Sequence, residues 1–133
     1  MIIDSSALVA ILRAEPDAAD FAAALAAPGE RKRMSAANWL EAAIVIDGSR
    51  DPVASARFDT LCARAEIEVV GVTPAQAETA RRAYRDFGRG SGHAAQLNFG
   101  DCFAYALARE TGETLLFKGD DFTRTDIAGH LPR

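Results

Sequence analysis

The chain has 133 residues, 49% of them hydrophobic and 26% charged, with a formal net charge of -4 and a pI of about 5.1. That size suits one domain with a single core, and that composition excludes a disordered chain. No apolar run approaches the roughly 20 residues of a bilayer span, and the acidic balance argues against a general polyanion binder.

In chain order, Met1 to Asp4 reads as a short buried strand. A helix follows over 5–14, with Ser5 or Ser6 as cap and Ala7, Leu8, Ile11 and Leu12 as its apolar stripe. Glu15-Pro16 breaks the pattern. It resumes over 17–27 with Phe21 and Leu25, and Pro28-Gly29 ends it. A short strand over 32–35 leads into a helix over 36–48, where Leu40, Ala43, Ile44 and Asp47 share one face. Pro52 opens another helix, running to Ala65. The β-branched alternation of 66–72 predicts a strand, and 74–87 a helix ending at Gly88. A glycine-rich loop over 88–95 precedes the helix that starts near Asp101 and closes at Gly112. The last strand is expected over 114–118, with a turn of helix near Phe122.

Strands alternating with helices predict an α/β fold, a parallel sheet wrapped on both faces. Ligands of such sheets bind beyond the carboxyl ends of the strands. The N-terminus reads as a strand and not as a signal peptide, since no basic segment precedes a long apolar one. Cys62 and Cys102 lack metal-ligand spacing and lie among alanines, which predicts reduced buried thiols and a cytoplasmic location.

Four acidic positions fall where such a fold would gather them. Asp4 closes the first apolar strand, and Asp120 or Asp121 follows the last one. Asp101 opens a helix, and Glu41 lies early in another. A second ionised carboxylate within about 4 Å adds roughly 4 kcal/mol of repulsion at an effective dielectric of 20, which a divalent cation removes. Each residue also has a plainer reading. Asp4 and Asp101 are good helix caps. Glu41 is an ordinary surface acid, although no Lys or Arg stands three or four residues away. The Lys118-Gly119-Asp120-Asp121-Phe122 segment makes a tight turn whose acids cap the next helix. On the Asp101 helix, Phe99, Phe103, Ala106 and Leu107 are expected to form the core face, with Asp101, Tyr105 and Ala108 on another.

Two basic clusters offset the acidity: Arg81, Arg82, Arg85 and Arg89 at helical spacing, and Arg31-Lys32-Arg33. They are either solvated surface or flanks that hold a polyanion while a metal takes one phosphate. His93 reads as polar surface. The Gly88-Arg89-Gly90-Ser91-Gly92 loop follows a helix and lacks a P-loop ending, so it is no nucleotide fingerprint.

The blocks 1–8, 35–42, 97–108 and 115–122 resemble the four signature blocks of PIN-domain toxins of the VapC type. The resemblance runs from first block to last. It implies a three-layer α/β/α ribonuclease fold with a central parallel sheet of four to five strands, occupying 1–133 as one domain. It further implies a Mg²⁺-dependent endoribonuclease (Mn²⁺ as substitute) and an antitoxin partner that blocks the acidic pocket. By position, Asp4 and Asp101 match the metal ligands, Glu41 the second acid and Asp121 or Asp120 the fourth. Asp121, before Phe122, fits the acid-Phe pattern more naturally, with Asp120 reaching the metal through water. Ser6 resembles a small polar residue lining the site. A homodimer, or a heterotetramer or larger assembly with antitoxin, is the family's expectation.

The resulting expectation is hydrolysis of RNA in single-stranded loops of structured RNA such as tRNA or rRNA, with Arg81, Arg85 and Arg89 on the backbone. The alternatives are a haloacid-dehalogenase-like phosphatase and a catalytically inert antitoxin-binding module. The phosphatase needs a second Asp where Ser6 stands. A receiver-type module would want paired acids after the first strand.

Overall fold

The computed structural model describes residues 1–132. Four strands, β1 (Ile2–Ile3), β2 (Arg33–Ser35), β3 (Glu68–Val70) and β4 (Leu115–Leu116), form one sheet in the order β3-β2-β1-β4. Every pairing is parallel, with Ile2 opposite both Arg33 and Leu115, and Met34 opposite Val69. The helices are α1 (Ser5–Leu12), α2 (Ala18–Ala26), α3 (Ala36–Asp47), α4 (Pro52–Arg64), α5 (Pro74–Phe87) and α6 (Phe99–Thr111). A 3₁₀ turn covers Asp121–Arg124. All four expected strands are present but shorter. In place of a fifth, the tail adds one parallel bridge, Leu115 to Gly129.

Side chains on a strand alternate between faces. Ile3 and Leu116 therefore enter one core with Leu8, Phe21, Met34 and Ile46, while Ile2 and Leu115 enter another with Leu97, Leu107 and Phe122. The first core lies under α1 to α4 and the second under α5 and α6, giving three layers, α/β/α. Both cysteines are free thiols, Cys102 buried and Cys62 half-buried. Among the described residues no helix is long and apolar enough to cross a membrane.

Two expected faces are corrected. On α6, Phe99 is 78% exposed and Phe103 half-buried, whereas Asp101, Cys102, Tyr105 and Ala108 join Ala106 and Leu107 inside. The helix packs on both the sheet and α5, so its buried arc is wider than one stripe. On α3, the sequence grouping splits. Ala43 is buried, but Leu40 and Ile44 are 52% and 61% exposed, because Asn38, Ala42 and Ile46 take the inward side.

The Arg31-Lys32-Arg33 cluster sits at the amino ends of the strands, away from the acids. Arg33 pairs with Glu113 at 2.6 Å, Arg31 with Glu68 at 2.7 Å, and Lys32 donates to the Leu25 carbonyl at 2.8 Å. These cations tie neighbouring elements together. Replacing the exposed Phe99 ring should be nearly neutral: in urea melts, Phe99→Ser is expected to change stability by less than about 0.5 kcal/mol. Leu107→Ala, inside the second core, should cost about 2–5 kcal/mol.

Candidate active site

The parallel order brings the carboxyl ends of β1, β2 and β4 to one edge, and the acids follow from there. The Asp4 amide donates to the Leu116 carbonyl at 2.9 Å, which fixes Asp4 between the ends of β1 and β4. Asp4 caps α1: its Oδ2 accepts from the Ser6 amide at 3.1 Å and from the Ser6 hydroxyl. The Ser6 Oγ in turn accepts from the Lys118 amide at 2.9 Å, tying the cap to the turn after β4. Asp4 is 3% exposed, and its Oδ1 is buried without a partner.

Asp101 makes a capping box with Asn98, each side chain accepting from the other's backbone amide, at 3.0 and 2.9 Å. The cap readings of Asp4 and Asp101 are thus correct, but they use only part of each carboxylate. Glu41 reaches over from α3. Its Oε1 accepts from the Ser5 hydroxyl and from Asn38 Nδ2 at 3.3 Å, while Asn38 Nδ2 also donates to the Gly100 carbonyl at 2.9 Å. A Cβ on Gly100 would stand 2.1 Å from Glu41 Oε2, so only glycine lets this carboxylate lie against the start of α6. Gly100 and Asn38 carried no site signal of their own in the sequence, and Ser5 read only as a helix cap. The missing Lys or Arg partner near Glu41 was the one hint that its contacts lay elsewhere.

Electrostatics report the convergence. Burial raises the Asp101 carboxyl from 3.8 to about 7, opposed by the Asn98 amide bond and reinforced by the charges of Asp4, Asp121 and Glu41. Burial likewise raises Asp4 to about 6, opposed by the Ser6 bonds and reinforced by Glu41. The charges of Asp4, Asp121 and Glu41, from three other segments, therefore reach Asp101. Asp120 begins the 3₁₀ turn, and its carbonyl accepts from Thr123.

The remaining sequence candidates fall elsewhere. Lys118 bridges to Glu15 and Asp17 at 3.0 and 3.2 Å. His93 accepts from the Ala95 amide and meets the Phe87 ring edge-on. Arg81 and Arg89 line a groove between α5 and α6, while Arg85 points outside it beside Asp86, 3.9 Å away.

Residues 1–128 match the PIN domain family model. The chain belongs to the PIN-domain family. Its relatives include Ribonuclease VapC28 of Mycobacterium tuberculosis, 56% identical over 133 residues that cover 100% of this chain and 99% of that one. Ribonuclease VapC30 of the same species is 49% identical over 128 residues, covering 96% of each chain. Among solved structures, M. tuberculosis VapC20, described as a sarcin-ricin loop cleaving toxin, superposes with a TM-score of 0.78 at 16% identity over 98% of both chains. A toxin-antitoxin complex from Klebsiella pneumoniae gives 0.67 at 18% identity, covering 94% of this chain and 92% of that one. This PIN domain is thus of the VapC type, which displaces the dehalogenase-like and receiver-type alternatives.

The residues fit a hard divalent cation. All the converging donors are oxygens, Asp4 Oδ1 lacks a partner, and the carboxyls resist ionising together. Among the described residues no three His, Cys, Asp or Glu side chains are already gathered at ligand spacing. That suits an ion taking one or two carboxylates and completing its shell with water and substrate.

The raised carboxyls fix a pH dependence. The folded PIN domain retains protons on Asp4 and Asp101 that the unfolded chain releases near 3.8. Without a cation, these groups should lower stability progressively as pH rises from about 4 to about 7, then level off. Urea titrations of cation-free protein should show this fall, with Asp101→Asn more stable than the parent by roughly 1–3 kcal/mol at pH 8.

Proposed function

We propose that the chain is the toxin of a type II toxin–antitoxin pair and cleaves RNA as a Mg²⁺-dependent endoribonuclease, with Mn²⁺ able to substitute. The observation that carries this reading is the convergence of buried Asp4 and Asp101 at the carboxyl edge of the sheet, where Glu41 meets the start of α6 and the charges of Glu41 and Asp121 reach Asp101. The ribonuclease names of relatives up to 56% identical support it.

Asp4 and Asp101 would hold the ion. When bound, it supplies charge neutralisation at the scissile phosphate and lowers the pKa of the attacking water. Ser6 holds one oxygen of Asp4, leaving Oδ1 for the ion and keeping the carboxylate from rotating away. Glu41 and Asp121, whose charges reach Asp101, would orient water and accept its proton. Asn38 and Ser5 hold Glu41 Oε1, so Oε2 is the oxygen available for that transfer. In-line attack by water then leaves a 5′-phosphate and a 3′-hydroxyl. Asp120 would reach the ion through water. Arg81 and Arg89 contact the RNA backbone, and Arg85 contributes less because it lies outside their groove. Single-stranded loops of structured RNA such as tRNA or rRNA suit the cleft, because their bases can splay out.

The same acidic cluster suits an antitoxin that inserts an arginine, whose bidentate fork pairs with carboxylates and shuts out ion and substrate. Assembly as a homodimer, or as a larger complex with antitoxin, belongs to this reading.

Cleavage by antitoxin-free protein of total RNA with Mg²⁺ or Mn²⁺, followed by mapping of new 5′ ends, tests the proposal. Activity should vanish with EDTA and fall at least about 100-fold in folded Asp4→Asn and Asp101→Asn proteins. Undiminished cleavage in both variants would overturn it and leave the inert binding module. Gly100→Ala, which displaces only Glu41, should lower the rate by about 10-fold or more with little loss of stability. Arg81→Ala should weaken RNA binding and reduce its salt slope by about 1, with Arg85→Ala changing it less.

A further inference from the structure

We propose that the groove between α5 and α6 is a nucleobase subsite, in which the base beside the scissile phosphate stacks on Phe99 while Arg81 and Arg89 hold the adjoining backbone. The inference rests on the ribonuclease reading and adds where a base is bound.

The groove encloses about 530 Å³, within the range of small-ligand sites. Its rim carries Arg81, Tyr84, Arg89, Asn98, Phe99 and Phe103. The floor is of small side chains, Ala80 and Cys102 among them, which leaves room for a flat ring. No carboxylate lines it, in a chain whose net charge is -4. The Arg81 and Arg89 guanidinium groups have no hydrogen-bond or ion-pair partner among the described residues. Arg31 and Arg33, by contrast, are neutralised by Glu68 and Glu113. Apolar walls with two unpaired cations complement a base joined to a phosphate better than they complement an apolar peptide face.

Phe99 sets the register. It is the first residue of α6, 78% exposed, and held edge-on to Phe103 at 4.9 Å. Such a ring, held by one neighbour and otherwise open to solvent, is a stacking platform that accepts any base. Gly100, the next residue, lies against Glu41 Oε2, so the platform stands one residue from the acid edge. Asn98 joins the two directly, lining the groove while its side chain caps the amide of Asp101. A base on Phe99 therefore belongs to the nucleotide next to the phosphate over the acids. This gives the exposed ring a purpose that core packing does not.

The test titrates antitoxin-free protein, in EDTA, with a short single-stranded RNA labelled with aminopurine at successive positions. Cleavage with Mg²⁺ is measured separately. The parent and Phe99→Trp should quench the label at one position next to the cleavage site, and Phe99→Ala should bind about 5- to 100-fold more weakly. An abasic residue at that position should cause the same loss in the parent and none further in Phe99→Ala. If the parent cleaves RNA but Phe99→Ala binds and cuts like it, the subsite is wrong and the ribonuclease reading stands. If Phe99→Ala instead loses only its co-purifying antitoxin, the groove belongs to the protein partner and the proposal falls. A parent that binds as expected without cutting keeps the subsite and removes the nuclease. One that does neither removes both.

Discussion

Asp4 and Asp101 lie within electrostatic reach of each other at the edge of the sheet, shielded from water, with Glu41 and Asp121 adding further negative charge. Nothing in the folding of an apolar core calls for this. Like charges in a low-dielectric setting repel more strongly than in water, and each loses hydration as well. The arrangement persists because each carboxylate is also bound by hydrogen bonds that a helix start needs in any case. Asp4 caps α1 and Asp101 closes a capping box on α6. One oxygen of each serves the fold, and the rest of its charge remains for a cation.

Around these two, uncharged residues decide the geometry. Ser6 links the Asp4 carboxylate to the Lys118 amide, so the turn after β4 moves with the end of β1. Gly119, with φ at +96°, lets the chain reverse there and deliver Asp121 to the cluster. Asn38, wholly buried, bonds both the Gly100 carbonyl and Glu41, which locks α3 against the start of α6. Destabilising charge is thus confined to one edge and braced by neutral side chains.

Charge is also sorted along the strands. The cations at the amino ends are consumed in pairs such as Arg33 with Glu113, which hold the sheet to its neighbours. At the carboxyl ends Asp4, Glu41 and Asp101 have no ion pair among the described residues, and Arg81 and Arg89 line the groove between α5 and α6. A polyanion approaching this edge meets repulsion at the acids and attraction along the groove. A divalent ion held by Asp4 and Asp101 would reverse the first without disturbing the second.

The sequence by itself determined the alternation of strands and helices, the parallel sheet, and the placement of Asp4 and Asp121 after buried strands. Hydrophobic period, helix caps and glycine stops are local properties, and they survive in a one-dimensional reading. It did not determine which helical faces turn inward. Phe99 and Ile44 are apolar yet exposed, while Asn38 and Asp101 are polar yet buried. That choice depends on which neighbours cover each helix, and only the tertiary packing supplies them. The same holds for Gly100, unremarkable in the chain but the one residue there that lets Glu41 pack close. Contacts between residues far apart in sequence are made by the order of strands in the sheet, and that order is decided in three dimensions.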